Sequence, residues 1–113
     1  MKRARIEKLL LQAIGHYVQK NISLAESSIF VSVTGVKVAP SLDLVRVKIG
    51  FWGTVSDKGA FLGKIMREHH WKIKRYVAEK FKDRLRRVPR EIRFYIDESA
   101  AEGTQTRLLL EDL

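Results

Sequence analysis

The sequence contains no cysteine. A disulfide scaffold, a thiolate metal site and a cysteine nucleophile are excluded together, and a reducing compartment suits such a chain. Proline occurs only twice, as Pro40 and Pro89. The seven glycines are scattered, with neither GxGxxG nor GxxxxGK[ST] spacing, so no phosphate-cradling loop is present. Apolar runs are only a few residues long, too short for a bilayer-spanning segment. The first residues, Met1-Lys2-Arg3-Ala4-Arg5-Ile6-Glu7, lead into charged, periodic sequence rather than a secretory apolar core. A cytoplasmic protein with no membrane contact is expected. Acidic residues are scarce: 13 against 22 Lys and Arg, a net charge of +9 on 113 residues. Such an excess on a chain with 45% hydrophobic residues points to a folded domain with a polyanionic partner.

The chain has the length of one domain, residues 1–113, with no repeat, linker or low-complexity tract. Ile6, Leu9, Leu10, Ala13, Ile14, Tyr17 and Val18 recur at helical spacing and predict a helix over about 3–20. From Ile29 to Val38 the chain is rich in β-branched residues and reads as a strand. Ala39-Pro40-Ser41 breaks it. Leu44 to Trp52 is a second strand, with Val45, Val47, Ile49 and Phe51 on one face and a basic, wet face carrying Arg46 and Lys48. The short connection predicts antiparallel pairing. Helical periodicity returns at Ala60 and runs through Leu85. One helix of about 27 residues is long for so small a domain, so a bend or break near His69–Lys72 is expected. Val88-Pro89 ends it. Ile92 to Asp97 is a third strand. Ser99-x-x-Glu102 has the pattern of a capping box, and Leu108, Leu109, Leu110 and Leu113 predict a short final helix. The fold class is therefore α+β, in the order α-β-β-α-(α)-β-α, with helices on one face of a three-stranded sheet.

Catalytic chemistry finds little support. Glu68-His69-His70 has metal-ligand residue types, but adjacent helical residues diverge by about 100° and cannot converge on one ion. His69 is expected on the apolar side and His70 in solvent. Asp97-Glu98-Ser99 reads as a strand end followed by a helix cap. No metal, cofactor or catalytic residue is expected. Trp52 and Trp71 could stack on bases or sit at the core edge.

The charge is concentrated. Residues 72–93 hold ten basic and three acidic side chains, a net +7. Self-repulsion of that size has no internal compensation, whereas a phosphate backbone offsets it and releases counterions. The candidate RNA-binding residues are Lys72, Lys74, Arg75, Lys82, Arg84, Arg86, Arg87 and Arg90, with Lys2, Arg3, Arg5 and Lys8 as an N-terminal group. Arg46 and Lys48 form a further candidate pair. The element order lacks a helix-turn-helix frame for the DNA major groove, while a small sheet backed by helices is common among RNA-binding domains.

Four stretches, in order, resemble one family. Val31-Ser32-Val33-Thr34-Gly35-Val36-Lys37-Val38-Ala39-Pro40-Ser41-Leu42-Asp43-Leu44-Val45-Arg46-Val47 is similar to the strand-turn-strand of ribosome-binding factor A. Ile73-Lys74-Arg75-Tyr76-Val77 lies where that family has an Ile-Arg pair. Arg86-Arg87-Val88-Pro89, followed by Glu91-Ile92-Arg93-Phe94-Tyr95-Ile96-Asp97-Glu98-Ser99, is similar to its Arg-x-x-Pro-Glu-Leu-x-Phe-x-x-Asp-x-Ser. Gly103 and Leu109-Leu110-x-x-Leu113 continue the match. The sequence departs in the interhelical stretch, where Glu68-His69-His70-Trp71-Lys72 stands for a small Ala-x-Gly kink. Arg90 is an insertion after Pro89, and Ser23 to Ser28 has no counterpart.

The resemblance implies a type II KH-like domain with a bent helix pair in place of the Gly-x-x-Gly loop. It implies a non-enzymatic factor that binds 16S rRNA on immature 30S subunits and assists late maturation of that RNA, including in the cold. A monomer is expected, because no exposed apolar stripe is left once the core faces are assigned. Release by a ribosome-associated GTPase is implied as well. A general DNA-binding or nucleoid-type module is the alternative, and a small enzyme acting on RNA is a third reading without a catalytic constellation behind it.

Overall fold

Alternation along the first strand changes phase part-way, and that shift sets the face of the sheet. Val31 is buried, and so are Val36 and Val38, which lie on the opposite parity. A β-bulge between Val33 and Gly35 absorbs the extra residue. Both halves of the strand therefore turn their valines to the same core.

The computed structural model describes residues 2–23, 29–53, 58–83, 89–97 and 106–110. Helix α1, Arg3–Val18, is prolonged by a π-helical turn, Gln19–Ser23, that carries Ile22 into the core. Strands β1, Ile29–Val38, and β2, Leu44–Gly53, pair antiparallel. Helix α2, Lys58–Phe81, crosses back so that β3, Glu91–Asp97, pairs parallel with β2, the arrangement that a helical crossover permits. Strand β4, Thr106–Leu110, pairs antiparallel with β3. The sheet order is β1-β2-β3-β4.

The α+β class and the first three strands are as the sequence predicts, and the β-β-α-β core has the expected KH-like frame. Three features correct the expectation. The sheet has four strands, not three. Where a final helix was expected, β4 occupies the open edge of β3. A run of three leucines has no helical period of its own, and pairing satisfies backbone groups that an edge strand would leave open. Third, α2 is one unbroken helix of 24 residues, about 36 Å along its axis, rather than two helices separated by a break. The stretch from Glu68 to Lys72 contains neither glycine nor proline, and nothing in it interrupts the helix. The Ser99–Glu102 capping pattern lies outside the described residues.

Both helices pack on one side of the sheet. Leu10, Ile14 and Val18 from α1 meet Leu62, Met66, Ile73, Val77 and Phe81 from α2 over Val47, Ile49, Ile92, Phe94 and Ile96. Each such side chain contributes about 1.5–3 kcal/mol by leaving water. The helices run antiparallel: Tyr17, near the end of α1, meets His69 and Tyr76, whereas Leu9 and Gln12 share a groove with Lys80 and Phe81.

The β1–β2 turn is tight. Leu42 N–H donates to the Ala39 carbonyl at 2.8 Å, and Leu42 adopts φ 65°. That left-handed conformation costs a leucine roughly 1 kcal/mol. The Asp43 carbonyl accepts from both Arg90 and Glu91 N–H, at 3.0 and 2.9 Å, fixing the start of β3 to this turn.

Candidate nucleic-acid interface

The topology gathers charge at one end of the molecule. The start of α1, the β1–β2 turn, the start of β3 and the end of α2 all lie there. Of the candidate residues, Lys2, Arg3, Arg5 and Lys8 are exposed on α1, Lys82 follows α2, and Arg90 precedes β3. Lys82 and Arg90 are thus brought to one pole with the N-terminal group. Arg3 shares a groove with Lys37, Pro40 and Arg46, so Arg46, but not Lys48, is joined to the N-terminal group. Glu7 sits in that groove and is already engaged, because its Oε2 accepts the Val38 N–H at 2.7 Å, on the outer edge of β1. Arg84, Arg86 and Arg87 lie outside the described residues.

A second feature runs along α2. Lys64, Arg67, Trp71 and Arg75 are all exposed and recur every three to four residues, so they form one stripe on the solvent face. Lys72 and Lys82 flank it. Trp71 is 56% exposed, and Lys72 Nζ lies 6.0 Å from its ring centroid, within cation–π range. Arg75 is the least available member, since its Nε pairs with Glu79 Oε1 at 3.3 Å. Lys74, half-buried, lies toward the side of the stripe. Lys64 and Arg67 precede the basic segment 72–93 and are not among the sequence candidates. Their spacing from Trp71 was a usable signal.

The histidines diverge as adjacent helical residues must. His69 Nδ1 lies 2.8 Å from the Tyr17 hydroxyl. Burial lowers the His69 pKa, the Lys72 charge lowers it further, and Glu68 opposes both. Burial also raises the Tyr17 phenol. His70 is half-buried rather than exposed, its ring edge-on to Phe94 at 6.1 Å. Among the described residues, no three His, Cys, Asp or Glu side chains are placed to hold a metal ion. No described helix is long and apolar enough to cross a membrane.

The remaining face is that of the sheet turned away from the helices. Exposed Lys37, Arg46 and Lys48 lie on it with half-buried Arg93 and Tyr95. Phe30 and Trp52, 48% and 47% exposed, stand directly opposite each other across β1 and β2, with ring centroids 5.5 Å apart.

A basic pole and a basic, tryptophan-bearing helix stripe can hold a phosphate backbone. Comparison with known families decides the kinship. The family model described as ribosome-binding factor A matches residues 2–110. The chain belongs to that family. A ribosome-binding factor A from Chlorobium limicola is 25% identical over 113 residues, spanning 100% of this chain and 92% of the relative. One from Prosthecochloris aestuarii is 22% identical over 112 residues, spanning 99% and 88%. The crystal structure of ribosome-binding factor A from Thermus thermophilus superposes with a TM-score of 0.63 at 18% identity, covering 84% of this chain and 94% of that one. A Thermus thermophilus ribosome-binding factor A homology model, fitted into the cryo-EM map of its 30S complex, gives 0.64 at 17% identity, covering 86% and 97%. The shared fold extends over nearly all of those structures.

Proposed function

We propose that this ribosome-binding factor A family member binds free 30S ribosomal subunits through 16S rRNA and assists late maturation of that RNA without catalysing a reaction. The carrying observation is the exposed stripe of Lys64, Arg67, Trp71 and Arg75 on α2, which leads to the basic pole. Lysine and arginine on a rigid helix neutralise successive phosphates, and an exposed indole offers a stacking surface for an unpaired base. The Thermus thermophilus relative in a 30S complex supports the choice of particle. The action is occupancy: a rigid basic surface holds an RNA region in one arrangement until the factor leaves. A cytoplasmic monomer suits this role, with Arg84, Arg86, Arg87 and Arg90 as further phosphate-binding candidates and a ribosome-associated GTPase driving release.

Co-sedimentation of the purified protein with 30S, 50S and 70S particles at two salt concentrations tests the proposal. Selective, salt-sensitive comigration with 30S is expected, as is its loss in an Arg67→Glu/Arg75→Glu protein. Equal binding to all particles, or preference for duplex DNA in competition, would overturn it in favour of a general nucleic-acid-binding module.

A further inference from the structure

The open face of the sheet presents a second arrangement of cations and aromatics, on the opposite side of the molecule from the α2 stripe. Lys37, Arg46 and Arg93 are successive cross-strand partners on β1, β2 and β3. Like charges directly opposite one another destabilise a sheet. Arg93 is eased by Glu91, whose Oε2 lies 3.2 Å from its Nη2. Lys37 and Arg46 have no ion pair among the described residues, and Lys48, two residues along β2, adds a further positive charge. Lys37, Arg46 and Lys48 line an open groove of about 730 Å³ together with Thr34, Tyr95 and Asp97, closed at the β1 edge by Leu11 of α1. Such a row is intelligible if an anionic chain lies across it.

At the far end of the same face stand Phe30 and Trp52. Trp52 lies back over Gly50: a Cβ at Gly50 would fall 2.8 Å from its Cη2 atom. The missing side chain gives the indole a seat flat against the strand, leaving its outer side in solvent beside Phe30. The same gap lets Thr34 Oγ1 reach across β2 and donate to Asp97 Oδ2 at 2.8 Å. The Asp97 carboxylate on this face is thereby engaged. From Arg46 to Trp52 the strand runs about 20 Å, the reach of a few nucleotides of extended single strand.

We infer that the open sheet face is a binding track for unpaired RNA, with phosphates on Lys37, Arg46 and Lys48 and a base stacked on Trp52 beside Phe30. A paired duplex keeps its bases inside and cannot use the aromatic pair, so the surface selects single strands. The choice of RNA rests on the 30S proposal above; the track itself rests on the sheet geometry.

The test uses the full-length protein and a fluorescein-labelled, unstructured 12-nucleotide RNA, followed by anisotropy. Trp52→Leu is expected to weaken binding about tenfold, and Trp52→Tyr to restore most of it. Arg46→Gln should lower the magnitude of the salt slope by about 0.7. In a Trp71→Phe protein, where Trp52 is the sole indole, saturating RNA should quench its emission. Trp52 is exposed, so an unchanged thermal midpoint in Trp52→Leu separates lost stacking from lost folding. Unchanged affinity in Trp52→Leu, absence of the quench, or equal affinity for a duplex of the same length would overturn the track. Tighter binding of the matching single-stranded DNA would overturn its assignment to RNA. If Trp52→Leu binds the oligonucleotide unchanged yet still comigrates with 30S particles, the sheet-face track fails alone. If the Trp71→Phe protein shows the quench but the wild-type protein shows no 30S selectivity, the 30S proposal fails alone.

Discussion

The Tyr17 hydroxyl lies 2.8 Å from His69 Nδ1, tying the end of α1 to the middle of α2. The pairing suits a neutral imidazole, whose Nδ1 can accept the phenolic proton. Protonation would make Nδ1 a donor, leave the hydroxyl to turn and accept, and set a part-buried positive charge beside that of Lys72. His69 is held below its ordinary value of 6.5, first by burial. The unfolded chain therefore binds its proton more readily than the folded one just below pH 6.5, and stability must fall as the pH drops through that range. Urea midpoints at pH 7.5, 6.5 and 5.5 should decline more steeply in the wild type than in His69→Gln. Superimposable declines would show that His69 contributes nothing to the acid sensitivity.

Glu7 closes an edge that would otherwise be open. β1 pairs with β2 on one side only, and its Val38 N–H points to the other, where Glu7 Oε2 accepts it at 2.7 Å. A carboxylate accepting a part-buried amide is among the stronger hydrogen bonds. Glu7→Ala should cost about 1.5 kcal/mol and Glu7→Gln distinctly less, read from urea unfolding at neutral pH. A loss under about 0.3 kcal/mol in Glu7→Ala would mean that water replaces the carboxylate without penalty, the usual result for a surface substitution.

Much of this architecture was legible in the sequence, and the exceptions have physical causes. Ile6, Leu10, Ile14 and Val18 mark the buried face of α1 because a 3.6-residue period has one solution over four turns. Val45, Val47, Ile49 and Phe51 likewise fix the core face of β2. Leu108, Leu109 and Leu110 do not: a short apolar run fits either a helix or a strand, and what decides it is β3, a distant partner with an open edge. The bulge at Gly35 was hidden for a similar reason, since β-branched residues on both parities look like one continuous run. At the candidate interface, the sequence marked the basic segment and raised stacking at both tryptophans. It could not show that Lys37, Arg46 and Arg93 stand in one row, which is a property of register.

Gly50 shows what register adds. A methyl group there would approach Thr34 Cγ2 to 2.7 Å and Trp52 Cη2 to 2.8 Å. The Trp52 ring is the far end of a movable side chain and must swing outward, whereas the threonine methyl is closer to the backbone. Gly50→Ala should therefore red-shift Trp52 emission in a Trp71→Phe background and destabilise the fold by roughly 1 kcal/mol. An unshifted emission maximum would mean that the indole is not seated on the glycine.

The proposed α2 surface makes a quantitative demand on salt dependence. A side chain that neutralises a phosphate releases a counterion, so the logarithm of affinity falls linearly with the logarithm of salt concentration. Removing one phosphate contact reduces the magnitude of that slope by about one and weakens binding nearly uniformly across RNA sequences. Arg67→Gln on the stripe and Lys72→Gln beside it, both exposed, should each lower the slope by about one, and the double variant by about two if the sites are independent. Lys20→Gln, exposed near the opposite end of α1, should leave it unchanged. The measurement is a titration of a 16S rRNA fragment at four or more potassium concentrations. Equal slopes for wild type, Arg67→Gln and Lys72→Gln would remove α2 from the interface. An equal reduction in Lys20→Gln would mean that net charge alone, rather than this stripe, governs binding.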